Sequence, residues 1–245
     1  MTSQTAQKFS RKSLAGMNFR RAANFGKVYL IMGIVLGIVM SALYLSVPTA
    51  LPSGTTQVPE MISQIPALLL PIFAVIGSFG SLMIFVSDKD KGVYEYLIAY
   101  GVEPSRIFWS IALGAIGLVS VVLGISICAN VAIALVRGAL SLTYVEILIF
   151  YVIPISYAVT VFMNMAGMIW SSLAVRRSGI NSPVGVISII GVIPSMATLM
   201  LSFVVPPTYF IILVGAISLA LFVVVGAMIR VANSKMVRER FLSTA

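Results

Sequence analysis

The chain has 245 residues, of which 60% are hydrophobic and 9% charged, and it carries a formal charge of +9. Soluble domains carry about a quarter charged residues, so a water-soluble fold that covers its own core is excluded. The basic residues flank apolar runs instead of clustering on a polar module, which excludes nucleic acid as a partner; no histidine is present and Cys128 is the single cysteine, which excludes His-based metal or acid–base chemistry and an intrachain disulfide.

Residues 1–26 are polar and basic, with Lys8, Arg11, Lys12, Arg20 and Arg21 interspersed with Phe9, Leu14, Met17, Phe19 and Phe25. A helix lying on the inner leaflet is expected here, with an unstructured basic tail as the alternative. Six apolar runs follow, at 27–48, 65–86, 107–135, 147–174, 183–205 and 209–230. Each is long enough to cross a hydrocarbon core of about 30 Å. Each must satisfy its own backbone hydrogen bonds, and none alternates polar with apolar residues, so helices are expected and not the strands of a barrel. The first run starts too late and runs too long for a cleaved leader and reads as an uncleaved signal anchor. The third and fourth are longer than a perpendicular span needs, and Trp109 and Trp170 suit interface depth.

Basic residues orient this map. Of the sixteen Lys and Arg, Arg137 alone falls in an outer loop; the other fifteen lie in the amino-terminal segment, the 87–106 loop, the Arg176–Arg177 turn and the carboxyl tail, counting Lys27 and Arg230 at the edges of the first and sixth runs with the segments they adjoin. That asymmetry predicts both termini in the cytoplasm. The fold class expected is therefore an all-α integral membrane protein with six transmembrane helices. Its parts are a basic segment at 1–26, one membrane domain at 27–231 with a cytoplasmic loop at 87–106, and a basic tail at 232–245.

Within the spans, no Asp, Glu, Lys or Arg lies near a midpoint. This disfavours proton-coupled carriers, which need ionisable groups there; sodium coupling through broken helices stays open. Pro66, Pro71, Pro154 and Pro194 allow either hinges or fixed bends. Gly33, Gly37 and Ser41 form a small-residue row in the first span, which serves either a dimer face or packing within the subunit. Asn130, Asn164, Thr160 and Ser188 are polar residues within spans, placed either for helix–helix hydrogen bonding or along a pathway.

The densest signal lies in the loop Ser87-Asp88-Lys89-Asp90-Lys91-Gly92-Val93-Tyr94-Glu95-Tyr96-Leu97-Ile98-Ala99-Tyr100-Gly101-Val102-Glu103-Pro104-Ser105-Arg106. Ser87 is expected to cap a short helix, with Asp88 and Asp90 at its positive start. Val93, Tyr94, Leu97 and Ile98 make one apolar face, expected to be exposed and to need cover from the inner leaflet or from a partner's groove. Gly101 ends the helix and Pro104 opens the next.

This loop resembles the segment between the second and third spans of type-2 ABC transporter permease subunits. There an acidic–basic–acidic run leads through Gly to a Glu–x–Leu–Leu stretch and a Pro–x–Ser–Arg-like segment. Here the matching residues are Asp88-Lys89-Asp90-Lys91-Gly92, Glu95-Tyr96-Leu97-Ile98 and Pro104-Ser105-Arg106. Val93 stands where the family has Thr, Gly101 near its Pro, and Ser110 where a Lys often follows. The resemblance implies that the loop is a coupling helix docking into an ATPase subunit through Asp88, Asp90, Gly92, Glu95, Leu97, Ile98, Ser105 and Arg106. It also implies two ATPase copies per complex, a second permease subunit (identical or homologous), and residence in the plasma membrane. The family has a re-entrant hairpin before its last span, for which the Pro206–Pro207 turn leaves little room unless Pro194 breaks the fifth run.

The chain has no Gly-x-x-x-x-Gly-Lys-Ser/Thr phosphate loop: at Gly26-Lys27, the first glycine's position is Arg21. No cofactor is therefore expected on this chain; ATP and Mg belong on the partner. The function expected is a non-enzymatic permease subunit of an ABC exporter. The alternatives are an ATP-independent secondary transporter or channel, and a membrane subunit that transmits force and conducts nothing.

Overall fold

The computed structural model describes residues 11–45, 57–136, 138, 140–173, 193, 196–197, 200–201, 204–205 and 207–232. Among the described residues every regular element is helical. In chain order these are α1 Arg11–Phe25, α2 Lys27–Leu45, α3 Gln57–Gly77, α4 Phe79–Asp90, α5 Val93–Ala99, α6 Pro104–Val136, α7 Leu142–Ile147, a π-helical turn Leu148–Val152, α8 Ile153–Leu173, and α9 Pro207–Ala232.

Three helical segments, Ile65–Asp90, Pro104–Val136 and Leu142–Ile169, are long and apolar enough to cross a membrane. A fourth is counted if Leu14–Phe25 and Lys27–Leu43, which meet at 76°, form one broken span. The protein is thus membrane-embedded, and its regular elements are all helical among the described residues. The second to fourth expected spans coincide with the three long segments, except that the second extends to Asp90. Of the fifth expected span, 183–205, only residues 193, 196–197, 200–201 and 204–205 are described; Pro194, Ser188, the Arg176–Arg177 turn and the room for a re-entrant hairpin lie outside the described residues. The sixth corresponds to α9, whose apolar part is Ile212–Met228.

Helix α2 shows why a small-residue row matters. Val28, Ile31, Val35, Val39 and Leu43 are exposed along one stripe, while Gly33, Gly37 and Ser41 are buried on the opposite one. The buried stripe faces the same chain. A Cβ on Gly33 would lie 2.7 Å from the Phe73 carbonyl oxygen of α3, and one on Gly37 would lie 2.5 Å from Ser126 Oγ of α6. Ser41 Oγ donates to the Gly37 carbonyl and accepts from Asn130 Nδ2, so the row joins α2 to α3 and α6 through backbone approach and polar contact. The exposed stripe is apolar along its whole length, as a lipid-facing surface must be.

The core is formed by α3, α4, α6 and α8, with Leu70, Leu82, Phe85, Phe108, Ile111, Leu118, Ile155, Met163 and Met165 fully buried. Polar contacts between helices close what the apolar packing leaves. Ser81 Oγ of α4 donates to Asn164 Oδ1 of α8 at 2.7 Å, and Asn164 Nδ2 donates to the Thr160 carbonyl at 2.9 Å. Asn130 and Asn164 therefore bond to neighbouring helices from within their spans.

Pro71 and Pro154 each leave a carbonyl without its helical donor. Pro71 removes the donor for the Ala67 carbonyl; one residue on, Tyr151 Oη donates to the Leu68 carbonyl at 3.1 Å. Pro154 is the second residue of α8, with Ile153 between it and the π-helical turn Leu148–Val152. Tyr151, on that turn, also packs its ring 5.2 Å from Phe210 of α9.

Candidate docking site at the α4–α6 connection

The polypeptide between α4 and α6 is ordered by two left-handed glycines. Gly92 has φ +69° and Gly101 φ +83°, conformations that cost a residue with a Cβ. Between them α5 occupies seven residues. Its carboxyl end is a Schellman motif: Gly101 N–H donates to the Ile98 carbonyl at 2.9 Å and Val102 N–H to the Leu97 carbonyl at 3.0 Å. Glu95 lies in the first turn of α5, with Oε2 2.6 Å from where a Cβ on Gly92 would stand. Pro104 then opens α6, a position where its missing N–H has no partner to lose.

The start of the short helix is not where the sequence puts it. Helix α4 runs through Ser87 to Asp90, so Ser87 caps nothing and Asp88 and Asp90 sit at a helix end, not at a start. The apolar run Leu82–Val86 keeps the helix going, and only Gly92 breaks it. A carboxylate in a last turn faces the negative end of the helix dipole. For Asp88 that cost is offset from a distant part of the chain. Arg21 of α1 donates to it twice, Nη1 to Oδ2 at 2.8 Å and Nη2 to Oδ1 at 2.7 Å. Tyr94 Oη adds a longer contact to Oδ2 at 3.4 Å. Asp88 is 3% exposed, whereas the Arg21 side chain is 43% exposed. The hydrogen bond to Asp88 raises the Arg21 guanidinium's affinity for its proton. Burial, and then the Asp88 charge, push the Tyr94 phenol well above its ordinary range.

The apolar face of α5 is likewise corrected. Tyr94 and Ile98 are each 4% exposed, and Leu97 is half-buried against the same core. Tyr94 stacks on Phe85 with ring centroids 4.9 Å apart, and Phe85 meets Phe108 edge-on at 5.7 Å. The protein's own core covers this face except at Val93, which stays exposed, because the chain reverses tightly enough at Gly92 to fold α5 back onto α4. Outward instead point Tyr96 and Tyr100, 70% and 78% exposed, their rings 5.7 Å apart.

The eight residues expected to dock are therefore spread over three environments. Asp90 and Arg106 are exposed; Gly92, Glu95 and Leu97 are half-buried; Asp88, Ile98 and Ser105 are inside. Lys91, Tyr96, Tyr100 and Glu103, none of them among the eight, are exposed beside Asp90 and Arg106. The spacing of Tyr96 and Tyr100, four apart on a helix, was the available signal. Arg21 had none, being 67 residues from its partner.

Helix α1 is built into this region. Asn18 Nδ2 donates to Ser110 Oγ of α6 at 2.9 Å, and Ser110 Oγ donates in turn to the Ile107 carbonyl at 2.8 Å. Phe19 packs over Gly114 and Gly117, and at the α1–α2 corner Gly26 lies directly against Gly80 of α4. A Cβ on Gly80 would stand 2.7 Å from the Ala22 carbonyl oxygen.

Among the described residues, no group of three or more His, Cys, Asp or Glu is placed to hold a metal ion. No family model, no curated protein and no solved structure matches this chain.

Proposed function

We propose that the chain is the membrane-spanning permease subunit of an ATP-binding-cassette exporter, driven by a separate ATPase that grips α5. The reading takes six spans with both termini in the cytoplasm, the layout the basic residues favour. It places the protein in the plasma membrane as a dimer of permease subunits with two ATPase copies, and leaves ATP and Mg to the partner.

One observation carries it. The connection between two long spans is not a slack loop but a capped seven-residue helix, anchored by its inner face and by Asp88, with two tyrosines on its outer face. A connection that only joined α4 to α6 would need no rigid projection. A handle for a motor needs one, since force applied to a flexible loop would be dissipated before it reached the spans. In this scheme ATP-driven closure of the ATPase pair displaces α5. The continuous helices α4 and α6 carry the displacement into the membrane, shifting the population between two packings of the spans.

Purification of the tagged chain from its own cells tests the reading. An ATPase with a phosphate-binding loop should copurify, and substrate flux in vesicles should require its hydrolysis. Flux by the chain alone would favour the ATP-independent alternative. An intact complex with a nucleotide cycle and no flux would favour the force-transmitting one.

A further inference from the structure

Helix α1 turns one side to the bundle and the other away from it. Ala22 is fully buried and Phe19 packs on α6, whereas Gly16, Met17, Arg20, Arg21, Asn24 and Phe25 are exposed. At 100° per residue these six fall within one half of the helix surface. The face is mixed: Met17 and Phe25, 48% and 57% exposed, stand beside cations. Arg21 spends its charge on Asp88, but among the described residues neither Arg20 nor Lys27 meets a carboxylate. Beyond the corner, Val28 and Ile31 continue the exposed surface as the apolar flank of α2.

The level of this face in the membrane is marked independently. Asn18 of α1 is bonded to Ser110, whose neighbour Trp109 is exposed on α6. An exposed tryptophan on a long apolar helix favours the boundary between headgroups and acyl chains. The 76° bend lays α1 across the direction of α2, so its outer face runs along that boundary instead of through it.

We infer that the outer face of α1 and the first turn of α2 form a binding surface for anionic phospholipid, with Arg20 and Lys27 at the headgroup phosphates and Met17, Phe25 and Val28 among the upper acyl carbons. Charge complementarity selects the occupant. Two exposed cations, one on each side of the α1–α2 corner, meet no carboxylate among the described residues, and apolar side chains flank them where acyl chains lie. A zwitterionic lipid would neutralise its own phosphate; an anionic one leaves a net charge for the cations. The inference does not depend on the chain's being a transporter.

The full chain in nanodiscs of equal phosphatidylcholine and phosphatidylglycerol, analysed by native mass spectrometry, tests it. The wild type should retain phosphatidylglycerol in preference to phosphatidylcholine. The double variant Arg20→Gln/Lys27→Gln should lose this preference, on the order of fivefold for each cation removed. The swap Arg20→Lys/Lys27→Arg, which keeps the charge, should restore it, distinguishing lost binding from misfolding. Arg106→Gln/Arg230→Gln, which removes two exposed cations elsewhere, should leave the preference in place. Equal preference in the wild type and Arg20→Gln/Lys27→Gln overturns the inference. So does an equal loss in Arg106→Gln/Arg230→Gln, which would make the effect one of net charge and not of this surface.

Discussion

Arg21 grips both carboxylate oxygens of Asp88, at 2.7 and 2.8 Å, across 67 positions of sequence. The pair ties the helix that precedes the first apolar run to the helix that ends the second. It also cancels a charge that would otherwise be buried at the unfavourable end of α4. Arg21→Ala should therefore destabilise the protein by about 2 kcal/mol, water reaching Asp88 through the half-open side of the site limiting the loss. Arg21→Lys should recover only part of this, since an ammonium cannot make the paired contact. In thermal unfolding in detergent or nanodiscs, the double variant Arg21→Ala/Asp88→Ala should lose less than the sum of the single ones. Additive losses would show that the pair contributes nothing of its own.

Gly26 and Gly80 let the α1–α2 corner touch the backbone of α4. Either Gly26→Ala or Gly80→Ala forces the helices apart, at a cost of about 1–3 kcal/mol. Gly124, in the body of α6 with open space around it, is the control: Gly124→Ala should be neutral or slightly stabilising, since alanine is the better helix former. Melting temperatures for the three variants decide the matter.

Tyr94 gives the region a dependence on alkaline pH. Its phenol is buried beside a carboxylate, so its folded pKa is raised above the unfolded value of about 10. Above that pH the unfolded chain releases a proton that the folded one keeps, and stability falls as pH rises. Its contribution is complete below pH about 10 and declines above it. The wild type should lose thermal stability more steeply than Tyr94→Phe between neutral pH and pH about 11. Parallel profiles would mean that the phenol is not sheltered.

Tyr96 and Tyr100 present two exposed rings without contributing to the core. Tyr96→Ala/Tyr100→Ala should leave the stability within about 0.5 kcal/mol of wild type in thermal unfolding, as surface changes do. On the proposed function it should weaken copurification of the ATPase by tenfold or more, about 1.4 kcal/mol of interface energy. Glu95→Gln, being half-buried at the start of α5, should affect both quantities. Full retention of the ATPase by the tyrosine variant would move the docking surface elsewhere.

Read as residues alone, the protein is already recognisable as membrane-embedded and helical, and the places of its three long apolar helices, Ile65–Asp90, Pro104–Val136 and Leu142–Ile169, are legible to within a few residues. Those follow from hydrophobic content and from the demand that a backbone in lipid bond to itself, both local properties of a stretch of residues. The turn at Gly101 and the start of α6 at Pro104 were legible for the same reason, since each depends on the allowed dihedrals of one residue. Tertiary structure alone decided which way α5 faces. Its apolar stripe was visible in the spacing of Tyr94, Leu97 and Ile98, but periodicity cannot say whether such a stripe meets lipid, a partner or the protein's own core; the stack of Tyr94 on Phe85 does. The same holds for Gly33, Gly37 and Ser41, whose neighbours in the same chain are Phe73 and Gly77, Ser126, and Asn130 in turn. It holds most of all for Asp88: next to Lys89 and Asp90 it reads as one charge in an exposed run, and only the arrival of Arg21 from α1 makes burial of that carboxylate tolerable.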